Sequence, residues 1–192
     1  MNPTQKGSNT PKIVVQVSGK KPFPCSELFG RGVAMPVETG VSIRQLLCGQ
    51  LGVEEAYLEN RVQTIFLNGR TVDDVGTTVV SDSDVLSLSA AMPGLVGATL
   101  RRGGPLAAMR ESISHADSQA KKGSGKGVVT IKLFNMVARE LGPGLLRQGV
   151  VVTGRNLSGM LQSAEKDVQA VERDGATVSM AQLSDLFDSD RE

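Results

Sequence analysis

The chain has 192 residues, enough for one sizeable core or two small ones. Its 21 basic and 20 acidic residues nearly cancel, which argues against a general nucleic-acid or membrane-surface binder, because such a protein concentrates positive charge. Five Phe, one Tyr and no Trp also leave few rings for stacking on exposed bases.

The start of the chain, residues 1–11, is polar and has no apolar signal core, so we expect a disordered tail there. The longest weakly polar run, residues 89–100, contains Pro93 and is shorter than the ~20 residues that a membrane-spanning helix needs. The two cysteines lack the spacing of a zinc site or a redox motif, which indicates free thiols in a reducing compartment. These features predict a soluble cytoplasmic protein.

The first predicted elements are two strands joined by a long loop. Residues 12–17 are rich in β-branched side chains and predict a strand. Residues 20–31 contain two prolines and turn-forming glycines, which predict an expanded hairpin loop. Residues 33–37 then return as the second strand of this hairpin, and Pro36 confines that strand to a sheet edge or a bulge.

A helix of about three turns is predicted after this hairpin. Ser42 is its expected cap, and apolar residues follow at i, i+3, i+4 and i+8, so that they form one stripe. Gly49 lies inside the helix and costs roughly 1 kcal/mol relative to alanine, so packing must stabilise it. Gly52 is placed where a C-terminal glycine is expected. The stripe consists of Ile43, Leu46, Leu47 and Leu51.

The stretch from residue 62 to residue 90 predicts strands joined by tight turns. Residues 62–67 consist largely of β-branched and aromatic side chains and predict a strand. Asn68-Gly69 tolerates the positive φ angles of a hairpin turn, and residues 70–72 return as a short partner strand. A second turn and a closing strand follow over residues 81–90.

The predicted order is strand, strand, helix, strand, short strand, strand, with one helix to cover the buried face of a mixed sheet. Ile-Phe-Leu-Asn-Gly-Arg at 65–70, followed by the Ser-Asp-Ser-Asp-Val turn at 81–85 and by Leu-Ser-Leu at 86–88, resembles the ubiquitin-like sulfur carriers of thiamin and molybdopterin synthesis. The resemblance covers about residues 12–94 and implies a ubiquitin-like β-grasp fold of the α+β class. We assign residues 12–104 to this β-grasp domain.

The family resemblance also directs attention to the glycines after the last strand. The sulfur carriers end there in Gly-Gly, which threads a narrow tunnel to an adenylating enzyme because neither residue has a Cβ. This chain has Gly94 at the corresponding place, followed by Leu95, and continues. Arg-Gly-Gly at 102–104 resembles the tail of ubiquitin and would need cleavage before Pro105. Gly94, Gly103 and Gly104 are therefore a candidate modifier tail, and a flexible exit from the sheet is the alternative.

The segment from residue 105 to residue 127 is predicted to be a short helix followed by a flexible basic linker. Apolar residues recur at helical spacing over 105–116, and Lys, Gly and Ser dominate 118–127. Between residues 101 and 126 the chain has six basic and two acidic residues, a net charge of +4. A solvated tether and a site for an anionic partner are both consistent with this charge.

The last part of the chain, residues 128–192, is predicted to be a helix-rich module. Residues 128–133 are ambiguous between strand and helix, whereas 134–145 favour a helix interrupted near Gly142-Pro143. The clearest helical stripe starts after Asn156, extends through Val171 and ends at Gly175. Ser179 and Gln182 form a capping box for a last helix that carries Met180, Leu183 and Phe187.

Candidate catalytic and metal-binding side chains are few and scattered. The single histidine, His115, has no nearby cysteine or convergent carboxylates, so it predicts neither a metal site nor a nucleophile relay. Cys48 lies on the first helix and is expected to pack, whereas Cys25 is expected in a loop as the more exposed thiol. Asp82 and Asp84 are expected to form a turn. We therefore predict no catalytic residue, no cofactor and no metal.

Three functions remain open on these grounds. The leading hypothesis is a non-enzymatic ubiquitin-like interaction module that binds a partner protein through its sheet face or edge, with the helical half completing the surface. The second is a sulfur-carrier or ubiquitin-type modifier precursor, trimmed to Gly94 or Gly104 and activated by an adenylating enzyme. The third is an enzyme or ligand-binding protein with a site between the two halves. Short helices are marginal alone, so the helical half is expected to pack on itself, on the sheet or on a second copy.

Overall fold

The structure is a computed structural model in which residues 12–17, 25–106, 125–179 and 182 are described. Its strands are β1 (Ile13–Val17), β2 (Val33–Thr39), β3 (Val41–Ser42), β4 (Thr64–Leu67), β5 (Arg70–Thr71), β6 (Val79–Val80), β7 (Val85–Ser89), β8 (Gly125–Leu133), β9 (Val168–Arg173) and β10 (Ala176–Thr177). Its helices are α1 (Cys25–Arg31), a π-helix (Gln45–Gln50), α2 (Glu55–Asn60), α3 (Gly94–Leu100), α4 (Asn135–Gln148), α5 (Gly154–Ser163) and a 3₁₀ turn (Glu165–Asp167).

The largest sheet has five strands in the order β2-β8-β7-β4-β5. β7 and β8 are parallel, and every other neighbouring pair in this sheet is antiparallel. β1, β9 and β10 form a second, three-stranded sheet, and β3 pairs with β6. The prediction of an α+β protein with a mixed sheet is confirmed. None of the helices among the described residues combines the length and the apolarity needed to cross a membrane.

The stretch from residue 62 to residue 90 folds as the sequence predicts. Asn68 and Gly69 both have positive φ, 52° and 78°, and they connect β4 to β5 in a hairpin. Asp84, in the second turn, accepts a hydrogen bond from Asn68 Nδ2 at 2.7 Å, and Asn68 Oδ1 accepts one from the Val85 amide at 2.8 Å. The two turns therefore fix each other and the register between β4 and β7.

The predicted helix after Ser42 is also confirmed, with a different geometry. Ser42 and Gln45 exchange reciprocal hydrogen bonds in a capping box. The four apolar residues of the predicted stripe are buried, and Gly52 ends the helix with a φ of 67°. The difference is that residues 45–50 form a π-helix, at whose end the Gln50 side-chain amide bonds both the N–H and the C=O of Glu38.

One face of the five-stranded sheet is buried under helices, and the opposite face is only partly covered. α1, α4 and the π-helix pack against the strands and complete a single core. Alternate residues point to opposite faces of a strand, which explains why burial alternates along β2, β7 and β8. The strand residues that fill the buried face are Val33, Met35, Val37, Ile65, Leu67, Leu86, Leu88, Val129, Ile131 and Leu133.

The predicted hairpin between residues 12–17 and 33–37 is wrong. Both strands exist, but β1 pairs with β9, and β2 pairs with β8 from Val33↔Ile131 to Thr39↔Gly125. A central strand must fill the core on its buried face, and β8 does so with Val129, Ile131 and Leu133, each with no exposed surface. β1 is half exposed instead. The strand that the sequence left ambiguous at 128–133 therefore lies inside the sheet.

Residues 25–31 are a helix, α1, and not part of a hairpin loop as predicted. Cys25, Leu28 and Phe29 share one helix face at i, i+3 and i+4, and all three are buried. The prediction that Cys25 is an exposed thiol is therefore wrong as well. The close contact with α4 depends on Gly142, since a Cβ there would lie 2.7 Å from Cys25 Cβ and 3.3 Å from a ring carbon of Phe29.

Several boundaries in the second half also differ from the predictions. Residues 125–127 belong to β8 and not to a linker, and α4 runs through Pro143 without the predicted interruption. α5 is capped by Thr153 rather than by Asn156, and it ends at Ser163. The predicted continuation of that helix is strand β9, because Val168 and Val171 pair with β1.

The last predicted features lie mostly outside the described residues. The capping box is present, since the Ser179 amide donates to Gln182 Oε1 and the Gln182 amide donates to Ser179 Oγ. Most of the helix predicted after it is not described. The same applies to nearly all of the short helix at 105–116, with His115, and to residues 118–124 of the linker.

Replacing Ile131 with alanine tests whether β8 is the central strand. The side chain is fully buried, so we expect a loss of about 2–5 kcal/mol in the free energy of unfolding, measured by urea denaturation. Ile13→Ala is the matched control, because Ile13 on β1 is only partly buried and should lose no more than about half as much. A larger loss for Ile13→Ala than for Ile131→Ala would contradict the strand order.

Candidate protein-interaction surface

The C-terminal ends of β7 and β8 lie at the same end of the sheet, because these two strands are parallel. Asn135, the first residue of α4, connects the two exits. Its Oδ1 accepts a hydrogen bond from the Ala90 amide at 3.2 Å, and its Nδ2 donates to Ser89 Oγ at 2.9 Å. The segment that leads to α3 and the start of α4 are therefore neighbours.

Four of the seven large apolar side chains that are exposed among the described residues lie on α3 and at the start of α4, the two helices that follow these exits. Leu95 and Val96 on α3 are 72% and 71% exposed, and Phe134 and Met136 at the start of α4 are 41% and 46% exposed. We call these four residues the apolar end. A group of large apolar side chains at the surface of a monomer commonly marks a binding surface, whereas a single one needs no explanation.

Nothing in the sequence singles out Val96 or Met136, and the helical spacing over 134–145 placed Phe134 in a helix. The structure shows Phe134 in an extended conformation before α4, with φ −124° and ψ 154°, and its amide donates to the Leu88 carbonyl at 3.0 Å. Phe134 therefore continues β8 by one residue. By alternation along the strand, its side chain lies on the less covered face of the sheet.

α3 is held in place mainly from its two ends. Gly97 is its only buried residue, and a Cβ there would overlap the Met92 carbonyl oxygen, so the helix folds back tightly on the segment before it. At the other end the Arg102 amide donates to the Gln63 carbonyl at 2.8 Å. The Arg102 guanidinium donates to the Leu58 carbonyl at 3.1 Å and to Glu59 Oε2 at 2.9 Å, and its side chain is 10% exposed.

The three glycines of the candidate modifier tail do not lie together. Gly94 begins α3 with a φ of 79°, and its surface is exposed. Gly103 donates its amide to Asp73 Oδ1 at 3.0 Å, and Gly104 donates its amide to the Arg101 carbonyl at 3.2 Å. Helix α3 separates Gly94 from the other two. Processing of the chain after Gly94 or Gly104 stays a prediction.

The less covered face of the five-stranded sheet adjoins the apolar end. We call the partly exposed portion of this surface the open face; it excludes the row of Thr64 and Ser89, which are buried. The strand register aligns Ala34, Thr130 and Val85 in one row and Lys132, Ser87 and Phe66 in the next. All six residues are partly exposed. Phe134 lies at the end of the same strand as Lys132 and joins the open face to the apolar end.

A polar cluster on the helical side connects α2 to α4. Tyr57 Oη donates to Glu140 Oε2 at 2.6 Å, and an Arg61 guanidinium nitrogen lies 2.6 Å from Glu140 Oε1. The hydrogen bond from Arg61, and then that from Tyr57, hold the pKa of the Glu140 carboxyl below its usual value. Burial, and then the hydrogen bond to Glu140, raise the pKa of Tyr57. Both carboxylate oxygens of Glu140 are thus occupied in joining the two helices.

A shallow groove of about 440 Å³ lies between the edge strand β2 and the turn after α4. Pro36, Leu51 and Val151 contribute to its mainly apolar walls, together with the side chains of Gln50 and Gln148. Gln50 is committed to the backbone of Glu38, and Gln148 Nε2 donates to the Leu51 carbonyl at 3.0 Å. The groove is lined from both parts of the chain, and it has no charged residue in its walls.

The two cysteines and the aspartates of the second turn are at least partly buried or are hydrogen-bonded within the fold. Burial raises the pKa of both thiols, of which Cys25 is fully buried and Cys48 partly so, and neither is in a disulfide. Asp82 Oδ1 accepts from the Val128 amide at 2.7 Å, and Asp84 Oδ2 accepts from the Ser81 amide at 2.7 Å, so these aspartates form the predicted turn. Within residues 12–17, 25–106, 125–179 and 182, no group of three or more His, Cys, Asp or Glu is arranged to hold a metal ion.

Comparisons with protein-family models, with curated protein sequences and with solved structures find no match to this chain.

Replacing Glu140 with glutamine should lower the melting temperature at pH 7, because it removes the carboxylate that joins α2 to α4. The pKa of the Glu140 carboxyl is lower in the folded protein than in the unfolded chain. The carboxylate therefore contributes its full stabilisation at pH values above the unfolded-state pKa, and this stabilisation is lost as the pH falls through the folded-state pKa. The difference between wild type and Glu140→Gln should therefore shrink on acidification. Thermal melts from pH 7 to pH 3 measure this.

Glu165→Gln is the matched control for this experiment. Glu165 is exposed on the 3₁₀ turn and should show a small difference in melting temperature throughout. A Glu140→Gln difference that is equally large at pH 3 and pH 7 would contradict the role given to the carboxylate.

Replacing Arg102 with alanine should loosen α3 without unfolding the protein. Three hydrogen bonds involve the Arg102 backbone and side chain, and the two made by the guanidinium would be lost. We expect at least a tenfold faster amide hydrogen exchange over residues 94–104, measured by mass spectrometry, with unchanged exchange in β7 and β8. Arg101→Ala is the control, because Arg101 is exposed. Equal effects of the two variants would show that Arg102 does not anchor this segment.

Proposed function

We propose that this chain is a non-enzymatic protein-interaction module built on a ubiquitin-like β-grasp sheet in permuted strand order. Support comes from the order of elements after β2: apart from the short pair β3 and β6 and the short helix α2, it is helix, strand, short strand and strand, as the resemblance implies. β8 pairs with β2, where a hairpin with residues 12–17 was expected, and it lies parallel to β7 on its other side.

The observation that carries the proposal is the exposure of the apolar end. Leu95 and Val96 are more than two thirds exposed on a short helix that buries one glycine. Leaving such side chains in water forgoes roughly 1.5–3 kcal/mol for each one that could be buried, and a partner protein would recover this free energy. Phe134 extends the surface onto the open face. The two free thiols are consistent with a cytoplasmic site of action.

Photo-crosslinking in cells of the native host tests the proposal. A photoreactive amino acid would be placed separately at positions 95, 134 and, as a control, 14. Val14 is 40% exposed on β1, close to the exposure of Phe134, and lies outside the apolar end. We expect the same partner protein to be crosslinked from 95 and 134 and not from 14.

A second arm measures whether the surface is needed for binding. Leu95→Ser and Phe134→Ser should each weaken binding of the crosslinked partner at least tenfold, whereas Val14→Ser should change the affinity less than threefold. Thermal melts of each variant control for unfolding. Crosslinks that form equally from all three positions, or affinities unaffected by Leu95→Ser and Phe134→Ser, would refute the proposal.

A further inference from the structure

Lys132 lies on the open face, and none of the described residues forms an ion pair with it. Its neighbours in the register are Ser87 on β7 and Thr130 two residues earlier on β8. Among the residues that the structure describes, no hydrogen bond or ion pair engages the side chains of Lys132, Ser87 or Thr130. An ammonium and two hydroxyl groups therefore offer hydrogen-bond donors side by side on one surface.

The Lys132 side chain packs against Gly32, which has no Cβ to collide with it. Gly32 has a φ of 106°, and a Cβ there would lie 2.9 Å from Thr130 Cγ2 and 3.2 Å from Lys132 Cε. The aliphatic part of Lys132 therefore extends over the Gly32 backbone, which is how a lysine buries its stem while its charge stays in water.

Three carboxylates on the strands' turns and on α1 are engaged by other groups. Asp84 bonds Asn68 and the Ser81 amide, Asp82 bonds the Val128 amide, and Glu27 pairs with Arg31 at 2.8 Å. Glu38 lies opposite Lys126, six residues along β8 from Lys132, which is about 20 Å. Within the part of the chain that the structure describes, the positive charge of Lys132 is therefore not compensated by an ion pair.

We propose that the partner bound by this module contributes an acidic side chain that pairs with Lys132, next to apolar residues that cover Phe134 and the apolar end. This inference rests on the proposed function and specifies the chemistry of the partner. Charge complementarity carries it, since the open face presents a cation and two hydroxyls, and the adjoining surface is apolar.

The spacing on β8 restricts the sequence of the partner. The Cα atoms of Lys132 and Phe134 are about 6.6 Å apart, since alternate residues of a strand lie on one face. A single short segment can satisfy both sites if its carboxylate and its apolar residue are about two positions apart when extended, or three to four positions apart when helical. We expect Asp or Glu within four residues of Leu, Ile, Phe or Met.

Selection from a phage-displayed library of random 12-residue peptides tests this inference on the full chain. We expect the enriched peptides to contain that acidic-apolar pair. The affinity of the synthetic consensus peptide, measured by fluorescence anisotropy, should fall at least tenfold for Lys132→Glu. Lys126→Glu is the matched control, because it makes the same charge change at the other end of β8, and it should alter the affinity less than threefold.

A charge exchange provides the sharpest result. Replacing the acidic residue of the peptide with lysine should weaken binding to wild type at least tenfold and restore binding to Lys132→Glu to within threefold of the original affinity. Failure of this rescue would overturn the assignment of the carboxylate to Lys132. A phosphoserine at the acidic position that tightens binding tenfold or more would also overturn it, in favour of a phosphate site.

Two further variants separate this inference from the proposed function. If Leu95→Ser and Phe134→Ser weaken the peptide but Lys132→Glu does not, the binding surface stands and the carboxylate contact is refuted. If Leu95→Ser and Phe134→Ser have no effect, the peptides bind elsewhere and the proposed function fails with the inference. A library without any enriched peptide would count against both.

Discussion

The parallel pairing of β7 with β8 determines most of what this structure can do. It inserts a distant segment between β2 and β7 and thereby completes the five-stranded sheet. It also directs both strands to the same end of the sheet, so that Asn135 at the start of α4 can bond Ser89 and Ala90. The apolar end and the open face both follow from this one pairing, because Lys132 and Phe134 belong to β8.

Glycine makes this arrangement sterically possible at two places. A Cβ at Gly127 would lie 2.7 Å from Thr39 Cγ2 and 2.8 Å from Asp82 Oδ1, so only glycine lets the start of β8 approach the second turn. Gly142 likewise allows α4 to approach α1 closely, because it has no Cβ. The sheet and its helical cover are therefore close-packed at points where the backbone itself is the contact surface.

Local chemistry explains which parts of the fold the sequence could predict. Asn68-Gly69 and the turn at Asp84 depend on neighbouring residues, and the helix after Ser42 depends on its own cap and apolar stripe, so each was recognisable in isolation. The partner of β2 was not, because 13–17 and 129–133 are both rich in β-branched residues and only burial in the complete core distinguishes them. Val168 and Val171 had helical spacing and still joined β1. The exposure of Leu95, Val96 and Phe134 was not predictable, since hydropathy does not record which face of an element is left without a neighbour.

The distance along the chain between the two halves of the sheet has a consequence for biosynthesis. Val33 pairs with Ile131, which is made 98 residues later (131 minus 33). At a translation rate of about 5–20 residues per second, β2 waits roughly 5–20 s on the ribosome before its neighbour exists. During that interval the backbone N–H and C=O groups on the β8 side of β2 are free to pair with any other extended chain. Pro36, which has no N–H to donate, restricts pairing on the opposite edge of β2, to which the Ala34 amide points when it donates to the Val151 carbonyl.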